Sequence, residues 1–294
     1  MRRLGAIVVA LLLAASVSGC AWLDTKQRML ALRPTPGHPA DFAELRQGDV
    51  RFRLPVESGD GGFEMLALWW LPHRDPDAPT LLYLHGTFRN LYKNYPKIEV
   101  LREAGFSVVA VDYRGWGDST PIVPSEATIY ADAQSAWSEV VRLQPDPGKR
   151  VIYGHSLGGT VAVDLASRLH YGSDYAALAL ESTFSNVPDL AASAGFWGRL
   201  GASLTTLEFD AASKIGRVDA PVLMLHGAAD RTVPVELGRR LRDAARPGVR
   251  WIEVPGGSHS MLHSEAAEIY KQAFRELLDP RGARTSSNTP DATR

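Results

Sequence analysis

The motif G-x-S-x-G occurs at Gly154–Gly158, with Ser156 at its centre, and it is the strongest chemical signal in the sequence. Val151–Tyr153 precedes it as a candidate strand and Gly159–Val163 opens a candidate helix, which is the context that such a motif requires. The glycines permit a turn too tight for side chains, with strained backbone at the central residue. The turn exposes the hydroxyl at a helix N-terminus, where partial positive charge favours an oxyanion. Ser156 is therefore the predicted nucleophile.

The chain resembles the α/β-hydrolase superfamily from about Val50 to Leu278. It is most similar to compact serine hydrolases of the monoglyceride-lipase-like and depalmitoylase-like types. The resemblance implies an α/β-hydrolase fold and acyl transfer on a serine. It rests on four segments: Leu84–Thr87, Asp112–Ser119, Gly154–Gly159 and Leu225–Pro234. Asp112–Ser119 is interpreted as a structural signature of the fold.

A serine hydroxyl needs a base within hydrogen-bonding reach, and the base needs a carboxylate that orients it. In this fold the chain order is serine, acid, histidine. Asp230 comes just after the apolar run Val222–Leu225, where a strand should end. Three other downstream aspartates do not end a strand: Asp210, Asp219 and Asp243. Asp230 is therefore the predicted acid, and the alternative is that its side chain only caps a turn.

The base is expected in the loop after the last strand, and His259 lies in the glycine-rich loop that follows Arg250–Val254. His263 competes with it, but it begins the closing helix and is expected to be a surface or capping group. In the predicted mechanism, His259 takes the proton of Ser156 as the oxygen attacks a carbonyl. Asp230 fixes the imidazole tautomer, and water later hydrolyses the acyl-enzyme.

Two backbone amides should stabilise the oxyanion that this attack creates. One belongs to Leu157, directly after the nucleophile. By resemblance, the other belongs to Thr87, in the loop after the strand that ends at His85, with Phe88 as the neighbouring option. A plain tight turn is the simpler alternative for this loop. The predicted oxyanion hole consists of Leu157 and Thr87.

Neither a metal nor a cofactor is predicted, because the sequence has no H-E-x-x-H motif and a single cysteine, Cys20. That cysteine cannot form an intramolecular disulfide. The net charge of −1 gives no electrostatic basis for a nucleic-acid partner. Hydrophobic residues make up 45% of the 294 residues, which is enough for a sizeable core. We expect a monomer whose partner is a small-molecule substrate.

An alternation of strands and helices must bring these residues together. Val50–Val56 and Phe63–Leu71 predict an N-terminal antiparallel hairpin. Short runs that are apolar on both faces predict a mostly parallel, doubly wound sheet: Thr80–Leu84, Ser107–Val111, Arg150–Tyr153, Ala177–Leu180, Val222–Leu225 and Arg250–Val254. Helices are predicted between and after them at Tyr92–Ala104, Ser125–Leu143, Leu157–Leu169, Val235–Ala245 and Leu262–Leu278.

The first twenty residues read as a targeting segment. Arg2 and Arg3 precede the apolar run Leu4–Val17, which is shorter than the ~20 residues of a membrane-spanning helix. Val17–Cys20 resembles the lipobox of bacterial lipoproteins. The resemblance implies cleavage before Cys20 and a lipid anchor on its sulfur at the bacterial envelope. Ala21 follows the cysteine in place of an acidic residue, which favours the periplasmic face of the outer membrane. An uncleaved N-terminal anchor is the alternative.

The predicted organisation is therefore a signal peptide (1–19), an anchor and linker (20–48), the hydrolase domain (49–278) and a disordered tail (279–294). The linker includes the proline-rich stretch Pro34–Pro39, after a short amphipathic helix at Asp24–Arg33. Residues 182–218 should form a short helical cap. Its apolar residues either pack on the sheet or line an acyl pocket: Phe184, Phe196, Trp197, Leu200, Leu204, Leu207 and Phe209.

The function predicted from these residues is hydrolysis of carboxylic esters or thioesters through an acyl-enzyme. A serine peptidase of the same fold is one alternative. A non-catalytic lipoprotein that keeps the fold for binding is the other, although all three triad positions hold competent residues. Fold alone does not decide between these functions.

Overall fold

The fold was analysed in a computed structural model that describes residues 21–42, 44–203 and 205–278. Cys20, the predicted signal peptide and the predicted C-terminal tail lie outside the described residues. Of the helices within the described ranges, none combines the length and the hydropathy needed to cross a membrane.

Eight strands form one sheet in the order β1-β2-β4-β3-β5-β6-β7-β8. The first two strands and the β2–β4 pair are antiparallel, and the remaining neighbours are parallel. This confirms the predicted fold class. The strands are β1 Val50–Glu57, β2 Phe63–Leu71, β3 Thr80–Leu84, β4 Ser107–Asp112, β5 Arg150–His155, β6 Ala177–Glu181, β7 Val222–Gly227 and β8 Arg250–Val254.

Helices connect the strands and cover both faces of the sheet. The described chain begins in a helix, α1, that ends at residue 32. The others are α2 Leu91–Glu103, α3 Glu126–Leu143, α4 Leu157–Ala166, α5 Val187–Ser193, α6 Phe196–Ala202, α7 Ala212–Ile215, α8 Val235–Ala244, α9 Leu262–Glu265 and α10 Ala267–Arg275.

Alternate residues of the central strands enter two separate apolar cores. Leu82 and Ile152 pack on the face covered by α3, α4 and α8. Leu81 and Tyr153 pack on the opposite face, against α2 and α10. Because side chains alternate across a strand, burial on both faces explains why these strands read as continuous apolar runs.

The parallel arrangement brings the carboxyl ends of β5, β6, β7 and β8 to one edge of the sheet. Ser156 directly follows β5, Asp230 lies three residues beyond β7, and His259 lies five residues beyond β8. Residues 103 positions apart in the chain thereby meet in space. In doubly wound sheets, the crevice at this edge is the usual place for a ligand.

Two predicted segments differ from the structure. The closing helix is divided into α9 and α10, because Ala266 adopts the non-helical angles φ −134° and ψ 44°. The proline-rich stretch predicted as a linker is attached to the domain. The Gly37 amide donates to the Gly117 carbonyl at 2.7 Å, and the Gly117 amide donates to the Thr35 carbonyl at 3.0 Å. Leu32, just before this stretch, is fully buried in the core.

A buried ion pair lies beneath the nucleophile turn. The Lys97 ammonium of α2 contacts the Glu181 carboxylate at the end of β6 at 2.5 Å. The hydroxyls of Tyr153 and Tyr270 also donate to this carboxylate, at 2.5 and 2.8 Å. Burial by itself raises the pKa of Glu181, but the charge of Lys97 and these hydrogen bonds lower it to about 2. The carboxylate therefore stays ionised although it is fully enclosed.

Removing the cation of this pair should strongly destabilise the fold. Lys97→Met leaves an uncompensated buried carboxylate, and we expect the free energy of unfolding in urea to fall by about 3–5 kcal/mol at pH 7. Because the pKa of Glu181 is lowered on folding, its contribution is present above pH 4.5 and decreases as the pH falls towards 2. As the pH is lowered from 4.5 towards 2, the free energy of unfolding should therefore fall less in Lys97→Met than in the parent protein.

The double variant Lys97→Met/Glu181→Gln should recover part of this loss, because it leaves no buried charge. Lys93→Met is the matched control, since Lys93 is exposed on the same helix. Equal losses in Lys97→Met and Lys93→Met would contradict the assignment.

Candidate active site

The turn that carries Ser156 has a strained backbone and no space for side chains beside it. Ser156 lies in the left-handed region, with φ 55° and ψ −121°, and it directly precedes α4. A Cβ added to Gly154 would overlap the carbonyl oxygen of Gly158. A Cβ added to Gly158 would overlap the carbonyl oxygen of Leu84 in β3. The motif glycines are thus required by close backbone contacts within the turn and with the neighbouring strand.

Three polar side chains form one series of hydrogen bonds at this edge of the sheet. The Ser156 Oγ lies 3.0 Å from Nε2 of His259. Nδ1 of the same imidazole lies 2.7 Å from Oδ2 of Asp230. A carboxylate only accepts hydrogen bonds, so Nδ1 carries a proton and Nε2 of the neutral ring is left to accept one from the serine. The three residues selected from the sequence are therefore brought together.

Asp230 uses its two carboxylate oxygens differently. Oδ1 accepts hydrogen bonds from the amides of Thr232 and Val233, both at 2.8 Å. Oδ2 faces His259 and lies 3.5 Å from Nε2 of His226. The sequence left two alternative roles for Asp230, capping a turn and orienting the imidazole. In the structure its carboxylate makes both kinds of contact. Burial raises the pKa of Asp230, but the nearby ring of His226, the hydrogen bond from His259 and the amides of the turn lower it further, to well below its ordinary value.

His155 holds the loop of His259 in place, and its role was not predicted. This side chain is 6% exposed, and its Nε2 donates to the backbone carbonyl oxygen of His259 at 3.0 Å. Burial, together with the charge of Lys97, holds the pKa of His155 well below its ordinary value. The ring is therefore neutral at physiological pH. It connects the nucleophile turn to the loop that carries the other imidazole.

The amides of Leu157 and Thr87 are both placed beside Ser156. Leu157 begins α4, and among the described residues its amide has no hydrogen-bond acceptor. The same is true of Thr87 and Phe88. A Cβ added to Gly86 would lie 3.0 Å from the Cβ of Ser156, so the backbone of this loop approaches the serine closely. Amides that have no acceptor and lie near a serine are the kind of donor that an oxyanion hole uses.

The segment 112–119 shapes the neighbouring loop, in agreement with its structural interpretation. Arg114 is buried, and its Nε donates to Asp132 at 2.7 Å while one terminal nitrogen donates to Glu64 of β2 at 2.6 Å. Asp112 accepts from the Leu91 amide at 2.9 Å and so fixes the start of α2. The Asp112 contact thereby holds the end of the loop that carries Thr87.

A cavity of about 250 Å³ opens at the serine. Its volume is slightly below the usual range for small-molecule sites. Polar groups predominate among the described residues that line it: Gly86, Thr87, Phe88, Arg89, Asn94, His155, Ser156, Thr232, His259 and Ser260. Arg89, Asn94 and Ser260 were missed in the sequence, because no motif marks them. Thr232 lies in the matched segment Leu225–Pro234, but no role was predicted for it.

The cap residues divide into buried and exposed groups. Phe184, Leu207 and Phe209 are buried in the core, whereas Phe196 and Leu200 are exposed on α6. None of these five lines the cavity at Ser156, so the described part of the cap does not form the predicted acyl pocket. The side chain of Trp197 and the whole of Leu204 lie outside what the structure describes. His263 does not contact Ser156, and the expectation that it lies on the surface was wrong, because this residue is only 7% exposed.

Comparisons with known proteins found similar sequences and similar folds. The sequence model of the family described as serine aminopeptidase, S33, matches residues 76–206. An uncharacterized protein of Mycobacterium tuberculosis is 32% identical over 281 residues, covering 94% of this chain and 95% of that protein. The lysophosphatidylserine lipase ABHD12 of Danio rerio is 36% identical over 61% of this chain, which spans only 50% of that relative. An esterase from Pyrococcus furiosus shares the fold, with a TM-score of 0.62 and 18% identity over 83% of this chain and 96% of its own.

A mostly parallel eight-stranded sheet, with a strand–turn–helix elbow at its carboxyl edge, defines the class of α/β hydrolases. The chain belongs to the α/β-hydrolase superfamily. The matched family and the similar lipase support a hydrolase in general terms.

The contact between Gly158 and β3 should make Gly158→Ala severely destabilising. The added methyl group meets backbone atoms of Leu84 and His85, which cannot move without disturbing the sheet. We expect the free energy of unfolding to fall by about 3 kcal/mol or more. Gly201→Ala is the matched control, because this helical glycine has open space around a new Cβ. Equal stabilities of the two variants in urea would contradict the close packing.

Proposed function

We propose that the protein is a serine hydrolase that cleaves carboxylic esters or thioesters through an acyl-enzyme intermediate. The observation that carries this proposal is the hydrogen-bond series from Ser156 through His259 to Asp230. A serine hydroxyl becomes a competent nucleophile when a neutral imidazole can remove its proton. The ionised Asp230 favours the proton on Nδ1, so that Nε2 faces the hydroxyl.

In the first half of the reaction, His259 removes the Ser156 proton as Oγ attacks the carbonyl carbon. The carbonyl oxygen becomes negatively charged and accepts hydrogen bonds from the amides of Leu157 and Thr87. Loss of one such donor typically costs about 2.7–4 kcal/mol of transition-state stabilisation. When the tetrahedral intermediate collapses, the bond to the leaving oxygen or sulfur breaks, and the imidazolium protonates that atom.

In the second half, a water molecule attacks the acyl-enzyme and His259 removes its proton. The new intermediate collapses, the acid product departs, and Ser156 regains its proton from the imidazolium. Asp230 stabilises the charged imidazole in both halves, because its lowered pKa keeps it ionised throughout the neutral range. The His155 contact to the His259 carbonyl holds the loop that carries this imidazole.

We favour ester substrates over peptides with a free N-terminal amine, which are the substrates of an aminopeptidase. One similar protein is named a lysophosphatidylserine lipase, and one protein of the same fold is named an esterase. We therefore propose esters as the substrate class. An aminopeptidase usually needs an acidic group for the substrate ammonium, yet the described residues lining the cavity include no carboxylate. They do include Arg89, which would repel that ammonium.

We also propose that the mature protein is anchored to the bacterial envelope through lipid on Cys20. The lipobox-like Val17–Cys20 directly precedes α1. Trp22 and Leu23, in the first described turn of that helix, are 63% and 51% exposed. Such side chains favour the apolar–polar boundary of a membrane, and two lipid chains provide stable attachment.

The serine mechanism predicts covalent capture at one residue. A fluorophosphonate probe should label the intact protein at Ser156, and Ser156→Ala should abolish labelling and lower kcat/KM on p-nitrophenyl esters by at least about a thousandfold. Ser260→Ala is the control, because this second cavity serine makes no hydrogen bond to His259. A folded protein that is neither labelled nor active would instead favour the binding lipoprotein, and faster cleavage of aminoacyl anilides than of esters would favour the peptidase.

Lipid anchoring predicts that protein from a bacterial host has an N-terminal peptide that begins at residue 20 and carries a lipid mass, and that Cys20→Ala abolishes both the lipid mass and the cleavage. Thr25→Ala, in the described part of α1, should keep the lipid mass and the cleavage. An unmodified parent protein whose N-terminal peptide begins at Met1 would point to an uncleaved anchor.

A further inference from the structure

The cavity at Ser156 carries a positive charge with no matching negative one. Arg89 is its only Lys or Arg among the described lining residues, and no Asp or Glu lines it. The guanidinium is exposed, and within the described ranges it has no carboxylate within 4.0 Å. An arginine is charged at every physiological pH and presents several N–H donors in one plane. Arg89 is therefore free to bind a ligand.

The loop that carries Arg89 is held in a defined conformation. The side-chain amide of Asn94, which is 6% exposed, donates to the Arg89 carbonyl at 3.2 Å and to the Asn90 carbonyl at 2.9 Å. Its oxygen accepts from the buried Tyr83 hydroxyl at 3.1 Å. Phe88 has φ 70°, a conformation that few residues other than glycine adopt. The position of Arg89 beside the cavity is thus built into the fold.

The surroundings add to the positive potential. The Arg33 guanidinium lies 4.6 Å from the ring centre of Phe88, at the same cavity, and it also has no carboxylate partner among the described residues. Lys97 lies below, but Glu181 neutralises it. A cleft with one sign of charge concentrates ligands of the opposite sign.

We propose that Arg89 binds an anionic group of the substrate, a phosphate or a carboxylate, so that the enzyme selects anionic esters over neutral esters of the same length. Guanidinium groups bind both anions through paired, charge-assisted hydrogen bonds. Arg89 acts here as a specificity-determining residue and takes no part in bond breaking. This inference deepens the proposed function. Turnover of anionic esters rests on the proposed hydrolase function, whereas binding of the anion does not.

Binding is measured by calorimetry on Ser156→Ala protein, in which the ligands are not hydrolysed. The phosphate pair is 1-hexanoyl lysophosphatidic acid against 1-hexanoylglycerol, and the carboxylate pair is monobutyl glutarate against butyl pentanoate. We expect the Kd of at least one anionic ligand to be about tenfold lower than that of its neutral partner. Arg89→Gln should bring that ratio close to one, and Arg89→Lys should keep part of it.

Arg53→Gln is the matched control, because this exposed arginine lies on the edge strand β1, and its ratios should equal those of the parent. If the anionic ligand is preferred in only one of the two pairs, that pair identifies phosphate or carboxylate as the recognised group. Higher salt should reduce the preference, since the contact is exposed. Near-ultraviolet circular dichroism and urea unfolding establish that the Arg89 variants are folded.

The inference would be overturned if the ratio of neutral to anionic Kd were the same with and without Arg89→Gln in folded Ser156→Ala protein. It would also be overturned if Ser156→Ala protein with Arg89 intact preferred neither anion. The same ligand pairs are then supplied to protein with Ser156 intact. Hydrolysis of neutral and anionic esters without dependence on Arg89 would overturn the anion site alone. Arg89-dependent binding without hydrolysis of any ester would uphold the anion site and overturn the proposed function.

Discussion

The backbone contact between the nucleophile turn and strand β3 is the constraint on which the rest of the site depends. Gly158 lies against the Leu84 carbonyl so closely that no side chain fits between them. This contact fixes where Ser156 emerges from the sheet and brings the loop of Thr87 beside it. The positive φ of Ser156 is maintained because the amide of Ser156 donates to the Glu181 carbonyl at 2.8 Å. Strain at one residue is thus offset by packing and hydrogen bonds in three neighbouring strands.

Burial of charged and polar groups around the turn then determines which of them are ionised. Glu181 and Asp230 remain charged because cations or hydrogen-bond donors surround them, whereas burial keeps His155 neutral. The two carboxylates have different tasks: Glu181 joins helix α2 to the sheet, and Asp230 orients an imidazole. A layer of hydrogen-bonded polar groups thereby lies directly below the residues proposed to react.

Much of the fold was predictable because buried parallel strands are short apolar runs with turn residues at both ends. Ser156, Asp230 and His259 were identified because each follows such a run in the order that this fold requires. Contacts between side chains distant in sequence left no such pattern, so the His155–His259 link, the Lys97–Glu181 pair and the position of Arg89 were not foreseen. The proline-rich stretch suggested a linker from composition alone, and its hydrogen bonds to Gly117 form only in the folded domain.

The attachment of the N-terminal segment has a mechanical consequence. Helix α1 is fastened to the cap through Asp24 and Thr206, at 2.8 Å, and its last turn is fastened to the core through Leu32. The helix is about 18 Å long along these residues. A tether at the start of this helix would therefore act on the domain through a rigid arm. The opening of the cavity at Ser156 would then keep one direction and one height relative to such a tether.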